Sequence, residues 1–388
     1  MKKRFLASVL CVALVASLLV GCGKSSSEKP TTAPTKAPTT EAPTKAGEKP
    51  ADGAIVAKSA YHFEIVSKGF QSTYWQAVYK GALAEAKKLG VTINMVGPNS
   101  ESDIADQVQM LNSAVNAKPA AIGLASLDTK AALDAITAAK SAGIAIIGFD
   151  SGVPAAPEGS VAANASTDNY NAGGVAADGL YKGVKDIIGS ATSAVRIGVV
   201  NQDATSESIC NRGLGFIDKM IELLAADGKT VAVVGNDYFV QNKKGTVVDE
   251  KSANVIIEVR VPSQTTTELL AIEASTILNE KDTIAIFGSN QTAAEGIVTA
   301  NDNLNKLGTG EGKIIGVGFD SGAVLKGAVK SGVLFGAVTQ APVAIGEKMV
   351  DLLVQVANGE TVKNVDTGCQ WYNKDTIDNA EIAQNLYD

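Results

Sequence analysis

Two stretches decide the fold: Ile147-Gly148-Phe149-Asp150-Ser151-Gly152 and Val317-Gly318-Phe319-Asp320-Ser321-Gly322. Each closes a short apolar run, Ile144 to Phe149 and Ile314 to Phe319, with the same Asp-Ser-Gly turn. Runs this short and apolar on both faces read as strands of a parallel sheet covered on both sides. In open parallel sheets, ligands lie beyond the carboxyl ends of the strands, so an Asp placed there points toward a crevice. The competing role for these Asp and Ser residues is to cap the next helix. Two copies in one chain imply two such sheets, each offering one Asp to a shared crevice.

Outward from the first copy, strands are predicted at Tyr61 to Val66, Val91 to Val96 and Ala120 to Leu124. Helices fall between them near Tyr74 to Leu89, Asp103 to Asn116 and Thr129 to Ala142, the alternation of a doubly wound domain. The pattern restarts with a helix near Asn169 to Lys185, a strand at Val195 to Val200 and a helix near Ser208 to Ala225. Strands follow at Val231 to Val234, Val255 to Val261, Thr283 to Phe287 and Leu334 to Thr339, with helices near Thr266 to Asn279 and Ala293 to Lys306. Gly235 to Asn254 fits neither pattern and reads as a loop or hairpin insertion. The fold class is therefore α/β, two doubly wound parallel-sheet domains with a ligand cleft between them.

At the N-terminus, Lys2, Lys3 and Arg4 precede an apolar run from Phe5 to Val20, the layout of a secretory signal over residues 1–21. The run is short for a membrane span. It ends in Leu19-Val20-Gly21-Cys22, which resembles a lipobox, at which the new N-terminal Cys22 is diacylated and held by its acyl chains. Residues 22–53 are then a tether of Ser, Thr, Pro, Ala, Lys and Glu, with near-repeats at Thr35-Lys36-Ala37-Pro38 and Thr44-Lys45-Ala46. Such a composition buries no core. Extended at about 3.1 Å per residue, its roughly 28 residues from Gly23 would reach ~85 Å.

A net charge of −7 and pI near 5.0 exclude phosphate-backbone binding, which rests on clustered Lys and Arg. Of four cysteines, Cys11 leaves with the signal and Cys22 carries lipid, so Cys210 and Cys369 remain, read as separate thiols. They have no Cys or His spacing for zinc. The single histidine, His62, would have to carry any Ser-His-Asp triad, and neither a nucleophile elbow, a P-loop nor a zinc-peptidase motif accompanies it. No catalytic residue, cofactor or metal is expected. What remains is the material of a sugar site: carboxylates accept from neighbouring hydroxyls, Arg and Asn donate to them, and adjacent aromatics such as Tyr74-Trp75 cover the C–H face of a ring.

From about Tyr61 to Trp371 the chain resembles the ribose-type periplasmic sugar-binding proteins, type I solute-binding proteins of monosaccharide ABC importers, here in lipoprotein form. The likeness rests on Ser67 with Tyr74-Trp75-Gln76 and Gly81-Ala82, Phe149-Asp150, and Ala165-Ser166-Thr167-Asp168-Asn169. It continues with Arg212 ahead of Gly215-Phe216, Asn290 after a strand, Gly316-Val317-Gly318-Phe319-Asp320, and Gln340 before Pro342.

The resemblance implies two lobes joined by three hinge crossings near Thr167 to Asp168, Thr339 to Gln340, and Asp366. One lobe would comprise 54–167 with 340–366, the other 168–339 with 367–388. Carried over, Asp150 and Arg212 grip hydroxyls from opposite lobes, Asn290 and Asp320 add second-lobe contacts, Gln340 sits at the hinge, and Tyr74 and Trp75 are the aromatic platform. Ser67, Gln71, Ser72, Ser151 and Asp203 complete the expected ligand-binding set. Where ribose binders carry Arg beside the first Asp this chain has Ser151, and Ala125 and Ser72 stand where they carry Asn, exchanges that point away from ribose itself.

The implied function is capture of a monosaccharide or polyol by a monomer for an ABC permease with its cytoplasmic ATPase, on the outer face of the cell membrane. Its first rival is sensing, in which the closed form is presented to a membrane receptor kinase. A transcription regulator of the same body would need a DNA-reading N-terminus, and an extracellular enzyme would turn a sugar over. Replacing Cys22 with Ala is expected to release the protein into the medium or leave the precursor uncleaved. Unchanged processing and membrane retention, followed by fractionation and immunoblotting, would remove the lipid anchor.

Overall fold

Alternation within His-Phe-Glu-Ile-Val, β1 (His62–Val66), shows how each sheet is seated. Phe63 and Ile65 enter one apolar layer and Val66 enters the opposite one. The computed structural model describes residues 55–388; the expected signal segment 1–21, the lipidated Cys22 and the tether 22–53 lie outside the described residues. The described residues fall within one compact unit. No helix among the described residues is long and apolar enough to cross a membrane.

After β1, the first lobe continues with α1 (Thr73–Leu89), β2 (Thr92–Val96), α2 (Ile104–Ala117), β3 (Ala121–Leu124), α3 (Leu133–Ser141), β4 (Ala145–Phe149) and β5 (Val161–Ser166). The chain then enters the second lobe as α4 (Asn169–Ser190), β6 (Val195–Val200), α5 (Glu207–Ala226), β7 (Val231–Gly235), α6 (Asp237–Asn242) and β8 (Val255–Arg260). That lobe continues as α7 (Thr267–Asn279), β9 (Thr283–Gly288), α8 (Gln291–Leu304), β10 (Ile315–Phe319), α9 (Ala323–Ser331) and β11 (Gly336–Gln340). It returns for α10 (Pro342–Ala357) and β12 (Val365–Asp366), and ends in β13 (Cys369–Tyr372) and α11 (Ala380–Ala383).

The first sheet has the order β12-β5-β4-β3-β1-β2 and the second β13-β11-β10-β9-β6-β8-β7. All described strand pairings are parallel except β13 on β11, which is antiparallel and is reached only after the chain has passed through α10 and β12. Helices α1 and α10 cover one face of the first sheet and α2 and α3 the other; α4 and α5 cover one face of the second, with α7, α8 and α9 opposite. The expected boundaries shift by a residue or two at most elements. The larger differences are that α3 begins at Leu133 and not Thr129, that α4 runs to Ser190 and not Lys185, and that α9, α10, α11, β12 and β13 are not among the expected elements. Gly235 to Asn254 holds the short helix α6 and a helical turn at Glu250–Ser252. Strand β5, Val-Ala-Ala-Asn-Ala-Ser, escaped the periodicity because Ala, Asn and Ser have little β preference.

The passages between lobes lie side by side. Thr367 N donates to Ser166 O at 3.0 Å, Thr167 Oγ1 to Gly368 O at 3.1 Å, and Asp168 N to Asp366 Oδ1 at 3.1 Å. Each lobe also contains one reciprocal glycine crossing. A Cβ on Gly81 of α1 would collide with Val343 O of α10, and one on Gly346 with Val78 O; Gly173 of α4 and Gly215 of α5 meet Arg212 O and Tyr170 O in the same way. Only glycine permits this backbone approach. Gly346→Ala is expected to cost about 1–3 kcal/mol by overpacking, whereas exposed Gly327→Ala in α9, with open space around it, should gain up to ~1 kcal/mol from helix propensity. Urea unfolding of the two variants compares them; equal stabilities would mean that the crossing imposes no constraint.

Candidate ligand-binding site

The residues lining the cleft between the lobes come from the carboxyl ends of strands, the loops that follow them or the first two turns of the next helix, as expected for open parallel sheets. Asp150 follows β4 and Asp320 follows β10, both in the left-handed region at φ 56 and φ 75. Asp tolerates that conformation better than most residues with a side chain. The turn aims each carboxylate into the cleft; Asp150 is 3% exposed and Asp320 4%.

In the first lobe, the Lys68 ammonium lies 3.1 Å from Asp150 Oδ2 and donates to Ser208 Oγ across the cleft at 3.1 Å. Burial alone would lower the lysine pKa, but Asp150, Glu101 and Asp203 hold it above its ordinary value. Tyr74 Oη donates to Asp150 Oδ1 at 2.6 Å, and burial followed by the Asp150 charge pushes the phenol well above its usual range. Trp75 packs edge-on against Phe149 and Tyr74 and donates its indole N–H to Glu101 Oε1 at 2.8 Å. Tyr74 and Trp75 therefore serve the core and the cleft together.

In the second lobe, Arg212 stacks on Phe319 with its guanidinium carbon 3.7 Å from the ring centroid. Its Nη2 donates to Asn169 Oδ1 at 2.6 Å and its Nη1 to Ser289 O at 2.9 Å, with Asp320 Oδ2 3.8 Å from Nη1. Asp320 accepts from Gln340 Nε2 at 2.7 Å and from Gln291 N at 3.1 Å, while Gln340 Oε1 is a buried acceptor without a protein donor. Asn290 caps α8 through Oδ1 and gives its amide N–H to Gln202 Oε1.

Polar contacts also close the lobes on each other. Glu101 Oε2 accepts from Gln202 Nε2 at 3.1 Å, Ser102 Oγ meets Thr265 Oγ1 at 3.0 Å, and Gln291 Nε2 donates to Thr73 Oγ1 at 3.1 Å. The free space left is about 30 Å³, room for one or two waters. A ring sugar needs several times that, so this arrangement of the lobes leaves no room for one.

The structure brings Ser72, Tyr74, Trp75, Asp150, Arg212, Asn290, Asp320 and Gln340 together in this lining. It does not bring four expected residues there. Ser67 is fully buried and donates to Gly69 O and Val96 O; Gln71 is exposed; Ser151 Oγ accepts from Ser208 N; and Asp203 is taken up by Thr205 and Ser206 in the turn before α5. Lys68, Glu101, Ser208 and Gln291 were not anticipated. A lysine directly after a buried strand was the one available signal for Lys68.

A two-lobed α/β body with a polar, aromatic-flanked cleft at its strand ends defines a solute-binding protein of the type I periplasmic fold. Residues 63–361 match the family described as periplasmic binding protein domain, and the chain belongs to that family. A Brachyspira murdochii structure described as an ABC transporter, LacI family transcriptional regulator is 34% identical, with a TM-score of 0.70, covering 84% of this chain and 99% of that one. An Agrobacterium vitis ABC transporter solute binding protein with bound D-fucose is 31% identical, with a TM-score of 0.69, covering 84% of this chain and 100% of that one. The D-allose-binding periplasmic protein of Escherichia coli K12 is 24% identical over 334 residues, 84% of this chain and 94% of that one.

Burial raises the carboxyl pKa of Asp320, against the lowering effect of Arg212, Gln340 and the Gln291 amide. A folded pKa above the unfolded one contributes stability that is present below the unfolded value and lost as pH rises through the folded value. The stability difference between Asp320→Asn and the parent is therefore expected to move in favour of Asn as pH rises from acid to neutral. Asn retains the left-handed backbone. Denaturant melts at several pH values test this, and parallel curves for the two proteins would contradict it.

Proposed function

We propose that the chain is an extracytoplasmic solute-binding lipoprotein of an ABC importer that captures a monosaccharide or similar polyol by hinge closure and delivers it to a membrane permease. The observation that supports the reading is that Asp150 and Asp320, one from each lobe, share a cleft lining with Lys68, Arg212, Tyr74, Trp75 and Gln340, whose Oε1 has no protein donor. Carboxylates and amides with aromatic side chains beside them suit vicinal hydroxyls on an apolar ring. The D-fucose and D-allose of the relatives belong to the same chemical class. Lys68 Nζ touches Ser208 Oγ, but Asp150 holds the amine as an ammonium, so it donates to Ser208 and does not serve as its base.

A thermal-shift screen of pentoses, hexoses, polyols and inositols is expected to reveal a stabilising ligand, since a ligand that binds only the folded state raises the melting temperature. Flat curves across all four classes would remove the sugar reading. With a ligand in hand, Asp320→Asn should weaken binding roughly ten- to hundredfold, about 1.5–3 kcal/mol for a lost charge-assisted bond. Normal affinity by calorimetry would reduce Asp320 to a structural group.

A further inference from the structure

Outside the cleft lining, Tyr387 joins the two acid-bearing strand ends. Its backbone and hydroxyl belong to the second lobe. Tyr387 N donates to Ser321 Oγ at 2.9 Å, Gly322 N donates to Tyr387 O at 3.0 Å, Ser321 Oγ to the same oxygen at 3.3 Å, and Ser321 N to Tyr387 Oη at 3.4 Å. Ser321 and Gly322 are the residues directly after Asp320, whose left-handed backbone is further held by Tyr372 Oη on its carbonyl at 2.8 Å.

The ring of Tyr387 belongs to the first lobe. It packs against the apolar cluster that contains Tyr74 and Trp75, its centroid 6.0 Å from that of Tyr74 at an interplanar angle of 66°. Tyr74 in turn donates to Asp150. Burial and then the nearby Asp320 push the Tyr387 phenol well above its ordinary range, so it is neutral and acts through shape. A continuous run of contacts therefore passes from Asp320 through Ser321, Tyr387 and Tyr74 to Asp150.

We infer that Tyr387 is a positioning residue of the ligand site, which sets the separation of the Asp150 and Asp320 carboxylates by anchoring its backbone on one lobe and its ring on the other. The inference rests on the proposed sugar-binding role for its effect on affinity, but not for its effect on the lobes. Covalent crossings permit rotation, whereas a ring packed against the partner lobe's apolar cluster has its full contacts only when the lobes meet. The ring is then part of what makes the closed arrangement favourable, and its loss shifts the population toward the open one.

The test compares Tyr387→Leu, Tyr387→Phe and the parent in a chain beginning at Ile55, within the compact unit described above. Small-angle scattering without ligand is expected to give a larger radius of gyration for the Leu variant and an unchanged one for Phe. Calorimetry with D-allose and D-fucose as probes should show the Leu variant binding about three- to tenfold more weakly, the scale of one aromatic contact, and the Phe variant within about twofold. Combining Tyr387→Leu with Tyr74→Phe should lose less than the sum of the two single effects, because both act on Asp150. If the Leu variant folds poorly, Ser321→Ala, which removes the serine hydroxyl from two of the four bonds, must show the same direction of change in radius. A lower melting temperature with unchanged radius and affinity would make Tyr387 an ordinary packing residue and overturn the inference. If the parent binds neither probe, neither sugar is its ligand, and the radius comparison alone decides on Tyr387.

Discussion

Two carboxylates facing one another across a nearly closed cleft are a constraint the remainder of the molecule has to meet. Charges removed from water are costly unless paired and hydrogen-bonded. The sequence meets the cost separately in each lobe, with Lys68 on Asp150 and Arg212 near Asp320, all four nearly buried. Such pairs are weak evidence for stability, and Asp320 is held at some expense, as its raised pKa records. Sites that bind charged or polar ligands commonly carry this kind of local cost, because the groups are arranged for the ligand.

On the proposed hinge closure, the glycine crossings keep lobe rotation and site geometry coupled. Helix α10 starts at Pro342, just beyond Gln340, and is locked against α1, which presents Tyr74 and Trp75. Helix α4 starts at Asn169, just beyond the first passage between lobes, and is locked against α5, which presents Arg212. In both lobes a helix leaving the hinge is thus fixed, backbone to backbone, to a helix carrying ligand groups. Close-packed interfaces of this kind move as rigid units, so a hinge rotation carries the site residues with it and leaves each half of the site intact.

The two doubly wound lobes were legible because buried parallel strands print continuous apolar runs, and the repeated Gly-Phe-Asp-Ser-Gly marked both acids without any structure. Arg212, Asn290 and Gln340 followed from resemblance. Lys68, Glu101, Ser208 and Gln291 were not legible, since each acquires its role from a partner far along the chain: Lys68 from Asp150 and Ser208, Glu101 from Trp75 and Gln202, Gln291 from Thr73 and Asp320. Nothing in a Lys-Gly or Asn-Ser-Glu-Ser stretch distinguishes such residues from a solvated loop. Ser67 and Ser151 lie outside the lining because other partners take their hydroxyls: Ser67 Oγ donates to the nearby Gly69 O, and Ser151 Oγ accepts from Ser208 N on the other lobe.

Lys68 also changes how the departure at Ser151 is understood. The ribose-type pattern puts a cation next to the first Asp in sequence; here that position is a serine that braces Ser208, and the cation comes from the loop after β1 instead. Charge compensation is preserved while its geometry is not. An ammonium on a flexible stem offers three rotatable donors, where a guanidinium offers a planar fork. A lysine can therefore turn from Asp150 and Ser208 toward a ligand oxygen without leaving its counter-ion, and it imposes less directional demand on the hydroxyl pattern it meets. On the proposed sugar-binding role, discrimination then falls on the more rigid groups, Arg212 stacked on Phe319 and the Asp320–Gln340 pair, because fixed donors and acceptors are what reject a ligand that leaves them unpaired.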